Sequence, residues 1–187
     1  MANPLSAIEI CNTALMYIGS GYSIDSFEDE DPAGRACRLQ YPQSRRDFLD
    51  NDHPFSFATT RKKLAKIADL DNGYQLPADM IKPLSLADDA RSTFHIERDI
   101  LYTDSGSPVL IYIQDSPDLT WFPPKAISAV QFILASKLAI ILKSDEAKAR
   151  SLQEMARQLI EEVAKSDIKN LEMPDFTMNE SSLLGAR

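Results

Sequence analysis

An α+β fold is expected: a bundle of about four helices, a small antiparallel β region inserted between helices 2 and 3, and an extended C-terminal arm. Three observations carry it. Apolar residues recur at three- and four-residue steps over the first 50 residues and again after 123. Between 60 and 115 they alternate in short runs, broken by Gly, Pro, Asn and Asp at turn spacing. No run in that stretch is long enough for the crossover helices a parallel sheet needs. The expected helices are 4–18, 32–52, 123–143 and 145–168, with the β region at 60–115. Residues 1–170 form one domain and 171–187 the arm.

Leu5, Ser6, Glu9 and Ile10 open helix 1 as a capping box with a hydrophobic staple. Ile8, Cys11, Leu15 and Ile18 make one apolar stripe, and Gly19 and Gly21 end it. Asp31 and Pro32 read as an N-cap followed by proline at the first helical position. Ala33, Ala36, Cys37 and Tyr41 continue at helical spacing. Pro42 interrupts and Arg45, Arg46, Phe48 and Leu49 resume, which predicts a kinked helix. Pro54 biases His53 away from helical backbone, so the helix stops by Asp52 or His53. Phe55 and Phe57 sit two apart, which in extended chain aims both rings the same way. With Pro54 and Arg61 they form a structural junction pinning the helices to the sheet.

In the β region Leu64 anchors 61–67, and Asn72 with Gly73 marks a turn. Residues 78–81 read as one helical turn. Thr93, Phe94, His95, Ile96 and Glu97 alternate, and Arg98 and Asp99 turn the chain into 100–103. Asp104, Ser105, Gly106 and Ser107 form a loop, from which 109–113 pairs back as a hairpin. Helix 3 is apolar on nearly every face, so neighbours bury it on all sides, part of them from a second subunit. Its apolar run, 126–142, carries Gln131, Ser136 and Lys137 and is shorter than the ~20 residues of a membrane span. Ser144 caps helix 4, with Asp145 and Glu146 in its first turn. Leu152, Met155, Ala156, Leu159 and Val163 form its stripe, and Leu159→Ala should cost about 2–5 kcal/mol as a core truncation. The arm keeps spaced apolar anchors, Met173, Phe176, Met178, Leu183 and Leu184, as a segment that binds along a partner surface does.

The chain has 187 residues and a formal net charge of −8. Such a surface argues against a groove-reading nucleic-acid binder, which needs a basic stripe. Cys11 and Cys37 read as buried free thiols. The first residues lack a basic region and an apolar run, so no signal peptide is expected. Neither His53 nor His95 has metal-ligand spacing, and no nucleophile-elbow, zincin, Walker A or dinucleotide motif is present. No catalytic, cofactor or metal residues are therefore expected. Glu28, Asp29, Glu30 and Asp31 lack the pattern of a calcium loop and read as a solvated linker. Arg45 with Arg46, and Arg61 with Lys62 and Lys63, read as partner-facing or intersubunit ion-pair clusters.

One ordered set of short motifs runs through most of the chain. It begins with Asn12, Ala14, Leu15, Ile18 and Gly19, then Ile24 and Ser26, Ala36 and Cys37, and Tyr41, Pro42 and Arg45. It continues with His53, Pro54, Phe55, Ser56, Phe57, Ala58, Arg61 and Leu64, then Tyr74, Leu76, Pro77, Ala78 and Asp79. Arg98, Ile100, Leu101, Tyr102 and Asp104, then Ile111, Tyr112 and Ile113, complete it before the late apolar helix. This resembles the tail tubular protein A family of podophages, with Phe55 where relatives usually carry Trp.

The resemblance implies a structural virion protein, the head-to-tail adaptor between portal and tail nozzle, assembled in the host cytoplasm. Its implied partners are further copies of itself in a dodecameric ring, the portal protein, the tubular B-like nozzle protein and tail fibres. Genomic DNA would pass through the ring without sequence-specific binding, and no membrane is involved. The arm residues Met173, Phe176, Met178, Leu183 and Leu184 would meet the portal or a neighbouring subunit, and Asp104, Ser105, Gly106 and Ser107 would face the nozzle. Two other readings compete: a virion-associated peptidoglycan hydrolase, which needs an essential carboxylate pair, and a head-completion connector of a long-tailed phage.

Overall fold

Local capping starts the helices where the side chains allow it. The computed structural model describes residues 6–87 and 93–171, without the side chains of 170 and 171. The staple residue Leu5 and the arm beyond 171 lie outside the described residues. Helix α1 (Ala7–Tyr17) opens on the capping box: Glu9 N–H donates to Ser6 Oγ at 3.2 Å, and Ser6 N–H donates to Glu9 Oε2 at 2.6 Å. Helix α2 (Pro32–Leu49) opens on Asp31, whose carboxylate accepts from the N–H groups of Ala33 and Gly34, with Pro32 in the first turn. It runs without a break through Pro42 and stops at Asp50, short of the expected 52. The side chain of Asn51 accepts from His53 N–H just beyond that end, so Asx-type turning precedes the proline.

Gly34 sits where loop 25–31 closes over the start of α2. A Cβ there would lie 2.4 Å from the Asp29 carbonyl oxygen and 2.8 Å from its Cβ. Gly→Ala inside a helix normally gains close to ~1 kcal/mol. Here Gly34→Ala is expected to cost about 1–3 kcal/mol through overpacking against backbone. The urea midpoint should fall; a raised midpoint would mean that the loop yields without cost.

Among the described residues seven strands make two antiparallel sheets: β1 (Thr59–Lys63), β2 (Ala65–Lys66), β3 (Gly73–Gln75), β4 (Met80–Leu86), β5 (His95–Glu97), β6 (Ile100–Tyr102) and β7 (Val109–Gln114). One sheet has the order β1-β7-β4 and the other β2-β3-β6-β5. The chain passes from the first to the second at buried Leu64, whose N–H donates to the Pro108 carbonyl. Arg98, at φ +57°, closes the expected tight turn between β5 and β6. Two expectations fail. Residues 78–79 form a turn that feeds β4 directly, with Met80 N–H bonded to the Pro77 carbonyl, so there is no helical turn. The 104–107 loop is no hairpin either: β6 already has β3 on one side and β5 on the other, so β7 leaves for the first sheet and pairs between β1 and β4.

The bundle centre is helix α3 (Pro124–Lys143). Ala126, Ala129, Val130, Leu134, Ala135, Leu138 and Ala139 are fully buried, against α1, α2 and the last helix, α4 (Glu146–Leu171). By length and composition alone α3 could cross a membrane, but three helices of its own chain cover most of it. Ile140 and Ile141 stay about half exposed. Ser144 is not the cap of α4. It takes the left-handed conformation and ends α3, while Asp145 accepts from Lys148 N–H and caps α4. On α4, Ala149, Leu152, Ala156 and Val163 are buried, Leu159 only half so, and Met155 is exposed. Leu159→Ala therefore belongs at or below the low end of the core range, ~2 kcal/mol. The fold is thus mixed α+β, with four helices among the described residues and the β region between α2 and α3.

Candidate functional site at the helix–sheet junction

The segment between α2 and β1 is built around aromatic rings. Phe55 is fully buried and leads a 3-10 turn at Ser56–Ala58. Its ring stacks on Phe48 at 4.9 Å between centroids, 7° from parallel, and lies 5.2 Å from Phe57. Phe57 in turn packs 4.9 Å from Phe122, just before α3. The expected pairing of Phe55 and Phe57 is present, but the tight turn brings the rings together, not extended backbone. Exposed Pro54 sets the entry to this turn.

One carboxylate ties the junction to the far end of α4. Asp167 is 6% exposed and accepts three hydrogen bonds: from Ser56 Oγ at 2.5 Å, from Ser56 N–H at 2.9 Å, and at 2.8 Å on the His53 ring. Burial opposes its charge, but the hydroxyl, the backbone N–H and His53 outweigh that and hold its carboxyl below the usual range. Serine, histidine and aspartate do not form a hydrolytic triad here. In a triad the imidazole stands between carboxylate and hydroxyl and takes the hydroxyl proton. At this site both Ser56 and His53 point at the same carboxylate, so the hydroxyl is committed as a donor and the group acts as a clamp.

A second clamp joins α2 to the end of β7. Asp115 accepts from Arg45 Nε at 2.7 Å and Arg45 Nη2 at 2.6 Å, and its other oxygen accepts from Arg46 Nε at 2.7 Å. Arg45 and Asp115 are both largely buried, and the Arg45 guanidinium lies 5.7 Å from the Tyr41 ring centroid. Beside it, Asp79 accepts from Tyr112 Oη at 3.2 Å and Gln114 Nε2 at 2.7 Å. Burial and the neighbouring Asp79 charge push the Tyr112 phenol up to about 12. A cleft of about 450 Å³ opens here, lined by Arg46, Asp47, Asp50, Asp79 and Asp115. At the other end of α2 an amide clamp holds the acidic linker: Asn12 donates to the Ile24 carbonyl at 2.9 Å and accepts its N–H at 2.8 Å. Cys11 and Cys37 are buried and free, and the neighbouring thiol together with burial pushes Cys11 up.

The structure gathers Pro54, Phe55 and Phe57 at the junction. Arg61 sits apart, exposed on β1. The 104–107 loop is anchored elsewhere, in the four-stranded sheet: Asp104 accepts from Asn72 Nδ2 at 2.9 Å and the Ser105 carbonyl accepts from Tyr74 Oη at 2.7 Å, while Gly106 and Ser107 are exposed. Met173, Phe176, Met178, Leu183 and Leu184 lie outside the described residues. Sequence reasoning missed Asp167 and Asp115. Asp167 did carry a signal, because it stands four residues after Val163 on the buried stripe of α4, where an acid demands partners. Among the described residues no group of three His, Cys, Asp or Glu side chains is arranged to hold a metal. No protein-family model and no curated protein matches the chain.

Proposed function

We propose that this chain is a structural adaptor of a phage virion, a subunit that assembles into a ring between portal and tail nozzle. One observation supports this reading above the others. The residues that carry the family resemblance serve as internal clamps: Asn12 holds Ile24, Arg45 holds Asp115, His53 and Ser56 hold Asp167, and Asp79 holds Tyr112 and Gln114. In this chain the pattern is therefore architectural, as expected of a component whose work is shape. A groove of about 380 Å³ between α3 and α4, lined by Ile133, Ile140, Ala149, Ala156 and Ile160, fits the expected contact between neighbouring subunits. The peptidoglycan-hydrolase reading gains nothing from the Ser56, His53 and Asp167 cluster, whose geometry is that of a clamp.

Light scattering on the purified chain, alone and mixed with its portal, tests the proposal. A ring, or a monomer that becomes a ring on the portal, is the expected result. A monomer indifferent to the portal overturns it. Removing the residues after Leu171 should abolish portal docking and leave the helical content unchanged; normal docking by that variant would remove the arm from the interface.

A further inference from the structure

We infer that the outer edge of β1 is a docking strip for this chain's own segment 172–180. β1 is an edge strand of its sheet, paired with β7 on one side only. Arg61, Lys62 and Lys63 are exposed along it, and exposed Lys66 follows in β2, an edge of the other sheet. Among the described residues none of the four makes an ion pair within 4.0 Å. That is a concentrated positive strip in a chain of net charge −8, and of its cations Lys62 also acts at longer range on the Asp79 carboxylate.

The fold delivers a complementary segment to this place. Asp167 is bonded to Ser56, three residues before β1 begins, so the last turn of α4 stands at the entrance to the strip. Residue 172 follows five positions later. Segment 172–180 contains Glu172, Asp175 and Glu180 and no Lys or Arg. Nine extended residues reach roughly 30 Å, and five residues of β1 span roughly 17 Å. The segment is therefore long enough to start beside Ser56 and lie along the whole edge. Successive strand residues face opposite sides of a sheet, so Arg61 and Lys63 project to one face and Lys62 to the other. A phosphate backbone would meet one of these faces. An added strand meets both, with backbone bonds to the free edge and carboxylates on either side. Pro174 is compatible with an edge position, where its missing N–H faces away from the ladder.

The inference does not rest on the adaptor reading. If both hold, the arm is stowed on its own sheet and must leave before it can grip a portal. The test uses the isolated full-length chain, so its failure leaves the portal experiment untouched. Backbone hydrogen exchange, read by mass spectrometry at low salt, should show residues 173–179 exchanging at least about tenfold slower than an unstructured chain, together with protection of β1. Raising the salt to about 0.5 M should erase the difference, as screening of exposed charge requires. Lys63→Glu alone and Asp175→Lys alone should each remove the protection, and the two together should restore it.

Exchange of 173–179 at the unstructured rate in the unaltered chain would overturn the inference. The cations would then only guard the edge against pairing, a common use of Lys on edge strands. Protection that disappears on dilution would overturn the intramolecular assignment by placing the arm on a neighbouring copy. Duplex DNA displacing the segment at physiological salt, with loss of that binding in Lys62→Glu, would overturn it in favour of a phosphate-binding edge.

Discussion

Asp167→Ala is expected to lower the stability of the chain by about 2–4 kcal/mol. Three hydrogen bonds are lost, each with a net worth of about 1 kcal/mol, while Ser56 is exposed enough for water to take up its freed N–H. Asp167→Asn keeps one acceptor oxygen and should cost less than the alanine change. The two variants also separate charge from geometry. The folded carboxyl of Asp167 titrates below its unfolded value because Ser56 and His53 favour the charged form over the opposing effect of burial. A depressed folded pKa contributes stability that is fully present above the unfolded value, about 3.9, and is lost as pH falls through the folded value. The urea midpoint of the unaltered chain should therefore drop on going from pH 7 to pH 3, and Asp167→Asn should drop less. An equal acid drop in both would show that this carboxylate is not the linked group. Asp79, held low by Gln114 and Tyr112 against burial, titrates in the same direction and remains in both chains, so the difference between them isolates Asp167.

The effect reaches beyond stability because of what the clamp joins. His53 and Ser56 lie between α2 and β1, and Asp167 lies one turn before α4 ends. Loosening it should free the end of α4, the point from which the arm departs. Asp167→Asn should thus weaken any protection of residues 173–179 even though no charge on β1 has changed.

Much of the fold was legible because its signals are local. The Ser6 box, the Asp31 cap with Pro32, and the Arg98 turn each depend on residues within four positions of one another. The strand partners were not legible, because partner choice is settled by which edges other strands leave free. Residues 100–103, a five-residue loop and 109–113 read as a hairpin in sequence. In the fold β3 and β5 occupy both sides of β6, and β7 becomes the centre of another sheet. Leu64 looks like the middle of a single strand for the same reason: nothing local marks it as the place where the chain changes sheets. Ser144 misled in another way. Its short hydroxyl side chain suits an N-cap, yet the chain needs a left-handed residue to end α3, and Asp145, one position on, is the better acceptor for α4.

The clamps show the same division. His53 and Arg45 stand out in the sequence, but their carboxylate partners are 114 and 70 residues away. An acid on a buried helical stripe, such as Asp167, predicts that a partner exists without saying which. The aromatic junction was found from the spacing of Phe55 and Phe57, although the spacing implied extended backbone and a 3-10 turn formed instead. Both conformations bring the rings to one side, because the whole cluster closes on Phe48 and Phe122, which no local pattern encodes.

Asp115→Ala carries the largest expected penalty, about 3–5 kcal/mol, because it strands a buried guanidinium. Arg45 is 7% exposed and spends two nitrogens on this carboxylate; Arg46, on the exposed side, can turn to water when the carboxylate goes, and Arg45 cannot. With folded domains typically stable by only ~5–15 kcal/mol, this loss is a large share of the total and the urea midpoint should fall accordingly. The penalty measures isolation of a charge, not the net worth of the pair. Arg45→Met combined with Asp115→Leu removes both charges and keeps comparable volume, and its stability should return to within about 1–2 kcal/mol of the unaltered chain. Urea unfolding of the two single variants and the double variant gives the coupling directly. Strong coupling with recovery in the double variant identifies the pair as a register device, one that fixes how the end of β7 sits on α2 without adding much net stability. Additive losses would mean instead that each side chain matters for its own packing, and that the alignment of sheet on bundle is set by the aromatic cluster alone.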